Sequence, residues 1–224
     1  MAGRLIPAGP EVIAPGAVHL PGWLEGDLRA ELVARCREWS EASGGARSPR
    51  MRNGSPMSVG MVGLGWHWYP YRYSRTRDDG DGGRALQFPA WLGALVERAV
   101  LDAAAVDPSV AARPEAFTPD VALVNWYRPG ARMGMHVDRD EVVPAPVVSL
   151  SVGLTGLFRF GTPAGRGRPW VDVPLESGDV VVFGGPSRLA YHGVPRLIDG
   201  TDDPVVGPLP GRLNVTVRQT GLED

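Results

Sequence analysis

RLNVTVRQ, residues 212–219, decides how the rest of this chain is read. Leu213, Val215 and Val217 alternate strictly with Arg212, Asn214, Thr216 and Arg218, the two-residue period of a strand with one oily face and one polar face. Working outward from it, GDVVVFGG (178–185), WVDVPL (170–175), VVSLSVGL (147–154) and VALVNWY (121–127) share its β-branched texture, and each is closed off by Gly, Pro or Asp. Short strands punctuated by turns build barrels and paired sheets.

Two helical patterns precede them. Leu28, Leu32, Val33, Cys36 and Trp39 recur at helical spacing between Asp27 and Ser43, with Asp27 placed to cap the start and Gly44-Gly45 to end the helix. A second stripe, Leu92, Leu95, Val96 and Ala99, belongs to a helix from about Ala90 to Val106 that stops before Pro108. The expected fold is therefore α+β and mostly β: a jelly roll buttressed by N-terminal helices, a single domain over residues 1–224 with its core at about 121–219.

Composition narrows the class. Hydrophobic residues make up 43% of the chain, enough for a sizeable core, and 30 Gly with 22 Pro indicate many turns and irregular loops. A net charge of −2 excludes a broad polycationic surface, so any nucleic-acid contact must be local. The single cysteine, Cys36, forms no internal disulfide and sits on a helical stripe as a small hydrophobe, which fits a reducing cytoplasm. The first residues lack the apolar stretch of a secretory signal. The longest uncharged apolar run, 142–158, is broken by Pro144 and Pro146 and is shorter than the roughly 20 residues that span a bilayer. The expectation is a cytoplasmic protein, monomeric and without membrane contact.

Only four histidines are present, and two of them suggest metal chemistry. His136 and Asp138 form an H-x-D pair whose side chains, at the period of an extended segment, point to one side. His192 follows the strand GDVVVFGG and its turn, where a barrel can return it to the same spot. Two histidines and a carboxylate on one face of an iron leave three positions open for a co-substrate and O2. H-x-D alone is weak evidence, since such pairs are common surface features. The polar face of 212–219 strengthens it: an amide between two arginines suits a dicarboxylate, which Arg binds through bidentate charge-assisted bonds. Asn125 and Tyr127 share a strand face and are placed to add neutral hydrogen bonds to the same acid. Upstream, residues 53–83 resist regular structure and crowd Trp66, His67, Trp68, Tyr69, Tyr71 and Tyr73 ahead of Arg75 and Arg77, with Arg72 among them. Aromatics interleaved with arginine suit stacking on unpaired bases and pairing with phosphates. The same composition also suits a hairpin that buries one aromatic face.

At this point the chain resembles the AlkB-type DNA-alkylation repair dioxygenases. The resemblance rests on LVNWYRPGARMGMHVDRDE (123–141), SLSVGL (149–154), GDVVVFGGPSRLAYHGV (178–194) and RLNVTVRQ (212–219), with MSVGM (57–61) and LGW (64–66) extending it toward the lid. It implies a double-stranded β-helix in which His136, Asp138 and His192 hold Fe(II). It also implies 2-oxoglutarate bound by Arg212, Asn214 and Arg218 with Asn125 and Tyr127 assisting, and residues of about 53–83 as a nucleotide-recognition lid. Trp66 corresponds to the family's base-stacking tryptophan, Asp140 and Glu141 to its acidic pair beside the iron, Tyr71 or Tyr73 to a phosphate contact, and Arg166 or Arg168 to a base-contacting arginine. The reaction implied is oxidative dealkylation of 1-methyladenine and 3-methylcytosine in single-stranded DNA, with duplex DNA and RNA as further candidates. Formaldehyde, succinate and CO2 are released. Two rivals remain: a 2-oxoglutarate-dependent hydroxylase of a protein or small metabolite, and a non-catalytic jelly-roll binding module.

Overall fold

A computed structural model describes residues 9–51, 53–78 and 80–223. In chain order the described residues form β1 (Glu11–Ala14), β2 (Ala17–Leu20), α1 (Gly26–Ala42), β3 (Val59–Leu64), β4 (His67–Tyr69), β5 (Arg72–Ser74), α2 (Ala90–Val106) and β6 (Val121–Tyr127). There follow β7 (Met133–His136), β8 (Val147–Gly153), β9 (Thr155–Phe160), β10 (Val171–Leu175), β11 (Val180–Phe183), β12 (His192–Ile198) and β13 (Arg212–Arg218).

The strands make two antiparallel layers, a seven-stranded sheet in the order β1-β2-β11-β8-β13-β6-β3 and a four-stranded sheet in the order β10-β9-β12-β7. This is the jelly roll expected, and the alternation of its central strands sorts residues to two sides. Leu213, Val215 and Val217 of β13, with Val148, Leu150, Val180 and Val182 of its neighbours, pack outward against Leu32, Val33 and Cys36 of α1 and Leu92, Leu95 and Val96 of α2. Each such buried aliphatic side chain contributes about 1.5–3 kcal/mol relative to exposure. The other side faces the smaller sheet, where Phe158, Phe160, Val181, Phe183 and Tyr127 form a second apolar cluster. Arg212, Asn214 and Arg218 therefore point into the gap between the sheets and are buried, so the polar face of β13 is interior and not solvated.

Both helices fall where the periodicity places them, but Asp27 is not the cap. Glu25 occupies that position without a side-chain capping bond, and Asp27 lies one residue inside the first turn, where its charge favours the positive end of the helix dipole. The helix ends into Gly44 and Gly45, both at positive φ. Within the region 53–83, β3 joins the large sheet as an edge strand beside β6, leaving the β4–β5 hairpin as a separate two-stranded ribbon.

Two glycines shape the approach of β7 to its neighbours. Gly130 takes φ 80 after Pro129, and Ala131 N–H donates to Arg128 O at 2.9 Å, closing the turn that sends β6 into β7. Gly193 lies against β7, where a Cβ would meet Met133 O at 2.7 Å and Gly134 O at 2.9 Å. Only glycine lets β12 come near enough to pair His192 with His136.

Candidate active site

His136 ends β7 and His192 opens β12, and the two are register partners across the small sheet, with ring centroids 4.5 Å apart. Asp138 reaches between them, its Oδ1 3.7 Å from His136 Nε2 and its Oδ2 3.7 Å from His192 Nε2. The ligand atoms of the three lie within 4.8 Å of one another, close enough for one ion. Each ring's Nδ1 sits 3.0 Å from a main-chain carbonyl, Gly134 O for His136 and Ala190 O for His192. Nδ1–H donates there, which leaves both Nε2 lone pairs aimed at the shared point. Burial, then the neighbouring His136, pushes His192 down to about 4, so its ring is neutral near pH 7. Burial alone would raise the Asp138 carboxyl, but Arg218, then His192, His136 and Arg188, outweigh it and hold it well below the ordinary carboxylate range. A neutral His192 ring and an ionised Asp138 carboxylate are protonation states that suit a divalent cation.

Deeper in the cavity lies a cation awaiting an anion. Arg212 is 1% exposed, its Nη2 donates to Ser151 Oγ at 2.7 Å and its Nη1 to Leu175 O at 3.1 Å, while its Nε has no partner. No carboxylate pairs with it among the described residues, and burial lowers its pKa to about 10. An uncompensated buried guanidinium costs several kcal/mol, which a bound carboxylate would offset. Asn214 pairs in register with Asn125, and Arg212 with Tyr127, so the four project from adjacent strands into one space. Asn125 Oδ1 is also buried without a partner, and burial lifts the Tyr127 phenol to about 12, keeping it protonated. Donors and cations in this arrangement fit the dicarboxylate read from the sequence.

Arg218 does different work. Its Nη2 lies 2.7 Å from Asp138 Oδ2 and its Nη1 donates to Tyr73 OH at 2.9 Å. Tyr73 OH in turn donates to Glu141 Oε1 at 2.5 Å, and Arg188 Nη2 donates to Glu141 Oε2 at 2.8 Å. Arg188 also holds Asp138 O and Ala145 O, at 2.7 and 2.6 Å. Arg188 was not among the residues singled out for the site, and no sequence signal marks it in the turn of GGPSRLAYHGV. Tyr73, expected with Tyr71 as one of two candidates for a phosphate contact, instead spends its hydroxyl between Arg218 and Glu141.

A cavity of about 710 Å3 opens over this centre and takes in every metal and dicarboxylate residue expected, along with Tyr71, Asp140, Glu141 and Arg166. On the substrate side one expectation is corrected and two are narrowed. Trp66 does not line the cavity: it is 5% exposed, its Nε1 donates to Asp120 Oδ2 at 3.2 Å, and Arg75 lies 3.6 Å over its ring. Trp68 lines the wall instead, its Nε1 donating to Asp140 Oδ2 at 2.8 Å. Trp66 stands in the bend between β3 and β4, outside the strand, whereas Trp68 is the central residue of β4, so the two-residue strand period does not relate the two side chains. Glu141 reaches the cavity, but both its oxygens are held by Tyr73 and Arg188, whereas Asp140, also in the cavity wall, has no arginine partner among the described residues. Of the two candidate arginines only Arg166 lines the cavity, while Arg168 stacks on Trp170 at 4.7 Å. Tyr71 stands at the hairpin tip at φ 77, after Pro70, and overhangs the mouth. That backbone costs a non-glycine residue about 1–2 kcal/mol.

The arginines of the lid are also spent internally. Arg72 pairs with Asp78 at 3.6 Å and stacks on Tyr69, Arg75 covers Trp66, and Arg77 pairs with Asp81 at 2.9 Å. Three cavity-lining arginines, Arg132, Arg139 and Arg166, are exposed and have no ion pair among the described residues.

Two facing antiparallel sheets with a two-histidine, one-carboxylate centre and a buried anion subsite define a non-haem iron oxygenase. The chain belongs to the 2OG-Fe(II) oxygenase superfamily, which it matches over residues 16–218, and within it to the AlkB type. It is 37% identical over 220 residues to an alpha-ketoglutarate-dependent dioxygenase AlkB homolog of Caulobacter vibrioides, covering 95% of this chain and 91% of that protein. It is 33% identical over 228 residues to the DNA N(6)-methyladenine demethylase ALKBH1D of Arabidopsis thaliana, covering 93% of this chain and 50% of that one, so it spans about half that relative's length. Among solved structures, that of OsALKBH1 superimposes with a TM-score of 0.82 at 34% identity over 93% of this chain and 100% of that one.

Proposed function

We propose that this chain oxidatively removes methyl groups from N-methylated bases of single-stranded nucleic acid, using 2-oxoglutarate and O2. The observation that carries the reading is Arg212, a buried guanidinium with no carboxylate partner, facing the same cavity as His136, Asp138 and His192. When bound, Fe(II) and 2-oxoglutarate supply the oxidising chemistry, O2 being split between succinate and the methyl group. His136, Asp138 and His192 would hold the metal. Arg212 would anchor the far carboxylate of 2-oxoglutarate through its fork, assisted by Asn125, Asn214 and the Tyr127 hydroxyl. Arg218 acts through Asp138, donating to the oxygen that faces His192 and fixing which lone pair is offered to the metal.

Trp68 provides the apolar plane on which a base rests, under the overhanging Tyr71, and Asp140 places a negative charge beside it. Bases methylated at a ring nitrogen, such as 1-methyladenine and 3-methylcytosine, are cationic and undamaged ones are not, so this charge favours the damaged base. Arg132, Arg139 and Arg166 line the cavity where phosphates of the strand would pass. The N-methylol left by oxygen insertion releases formaldehyde and the repaired base. No described helix is long and apolar enough to cross a membrane. We place the activity in the cytoplasm, where a lone buried thiol such as Cys36 stays reduced, and in a monomer acting as one catalytic domain.

The test is incubation with Fe(II), ascorbate, 2-oxoglutarate and single-stranded oligonucleotides carrying 1-methyladenine, 3-methylcytosine or N6-methyladenine, read by mass spectrometry. Loss of a methyl mass that requires 2-oxoglutarate and disappears in His136→Ala is the expected result. Loss only from N6-methyladenine removes the charge argument and leaves the demethylase. Loss from none, with succinate still forming, moves the substrate outside nucleic acid.

A further inference from the structure

Of the six methionines in the sequence, the structure describes five, and all five line the active-site cavity: Met51, Met57, Met61, Met133 and Met135. Methionine ordinarily fills gaps in cores, yet none of these is fully buried. They come from three separate stretches of chain, the loop before β3, β3 itself and β7, so no local sequence bias explains their meeting. Two belong to the metal strand. Met135 immediately precedes His136, and Met133 pairs in register with Val194, two places from His192. The sulfur of Met133 lies 3.6 Å from Tyr127 OH, on the face that carries the dicarboxylate contacts.

A thioether is the most readily oxygenated side chain in such a wall, and it stands where an oxidant is made. We propose that Met133 and Met135 are self-oxygenation sites of this protein, converted to methionine sulfoxide when 2-oxoglutarate is consumed with no base in the cavity. The step balances. 2-Oxoglutarate and the thioether each give two electrons to O2; one oxygen atom enters the new carboxylate of succinate as CO2 leaves, and the other forms the S=O bond, with no proton released. The inference rests on the oxygenase reading above and goes beyond it, because it assigns a second acceptor within the chain.

The product changes the site. A sulfoxide oxygen accepts far better than a thioether, so oxidised Met133 competes for the Tyr127 hydroxyl that 2-oxoglutarate uses. A chain idling without substrate thereby raises its own 2-oxoglutarate requirement and slows. Sulfoxide is also the reversible rung of methionine oxidation, so a sulfoxide reductase restores the cavity.

The experiment supplies the full chain with Fe(II), 2-oxoglutarate, air and catalase, with and without a methylated oligonucleotide, and follows succinate and tryptic peptide masses together. Sulfoxide on the peptide bearing Met133 and Met135 is expected to accumulate severalfold above the control lacking 2-oxoglutarate. It should rise in step with succinate and be suppressed by the oligonucleotide. The Met133→Leu/Met135→Leu double variant is expected to lose the progressive slowing of succinate release. Succinate without sulfoxide overturns the proposal and leaves the oxygenase standing, as does sulfoxide spread evenly over the five methionines or equal in the control. No succinate removes both.

Discussion

The inner face of β13 and the β4–β5 hairpin both line the cavity, yet they are held in different ways. On β13 the side chains are fixed by seven consecutive register pairs to β6 and by nearly as many to β8, and Arg212, Asn214 and Arg218 are all buried. The hairpin has two three-residue strands, half-exposed side chains and a tip residue at positive φ. Its attachment to the core is by polar side chains, Trp68 to Asp140 and Tyr73 to Glu141. A site built on paired strands inherits their precision, whereas a site on a short hairpin depends on a few side-chain bonds, each worth about 0.5–1.5 kcal/mol. The proposed function puts reaction chemistry on the rigid half and substrate selection on the adjustable half.

Substitutions on the two halves should separate accordingly. The largest effect belongs to Arg212→Met, which removes the buried partner of a carboxylate at a cost of about 2–5 kcal/mol. The 2-oxoglutarate KM should rise at least about 30-fold while the KM for oligonucleotide stays put. An unchanged 2-oxoglutarate KM would take the anion subsite away from β13. Trp68→Ala should do the reverse, weakening oligonucleotide binding by about 1–3 kcal/mol with little change toward 2-oxoglutarate.

Trp66 provides the control for that claim. Trp66→Phe keeps most of the packing but loses the bond to Asp120, so it should lower stability by about 1 kcal/mol in urea titration and leave oligonucleotide affinity nearly unaltered. If Trp66→Phe weakens the oligonucleotide and Trp68→Ala does not, the hairpin presents the other tryptophan in solution. In the cavity wall, replacing Arg132, Arg139 or Arg166 by Ala should each reduce the slope of log affinity against log salt by about 1, with Arg72→Ala on the lid as the silent comparison.

Acidity sharpens the comparison in another way, since the titrating groups that matter for folding lie on the rigid half. His192 is pushed from 6.5 to about 4 by burial, so as pH falls the unfolded chain takes up this proton first. The metal-free protein should hold its stability above 6.5, lose it progressively between 6.5 and 4 by no more than about 1.4 kcal/mol per pH unit, and lose no more from this group below that. Asp138, depressed below its usual range, adds its own loss at still lower pH. Urea midpoints measured stepwise from neutral to acidic pH check the window; a flat profile there would mean that His192 is already charged or solvated.

The parts of the molecule legible in the sequence share one property: they repeat with the period of the element that carries them. The two-residue alternation of 212–218 separated its oily and polar sides correctly, and the helical stripes of 26–42 and 90–106 marked the faces that pack on the large sheet. The spacing of His136 and Asp138, with His192 placed after a strand, was enough to collect the metal set. Capping by Asp27 failed because several residues near a helix start compete for one position, and backbone geometry decides between them.

What the sequence by itself determined is therefore the layer structure, the ligand triad and the polar strand that faces it, because strand and helix periods sort side chains before any tertiary contact exists. What only the tertiary structure decided is which tryptophan lines the cavity, which of its cations have no ion pair among the described residues and which acid an arginine holds. Trp66 and Trp68 lie two residues apart in a hairpin whose twist and docking no local pattern encodes. Whether Arg72 or Arg166 is available to a phosphate depends on where Asp78 happens to fold. Glu141 is held by Arg188, 47 residues along the chain, an ion pair set by long-range packing and invisible to any local period.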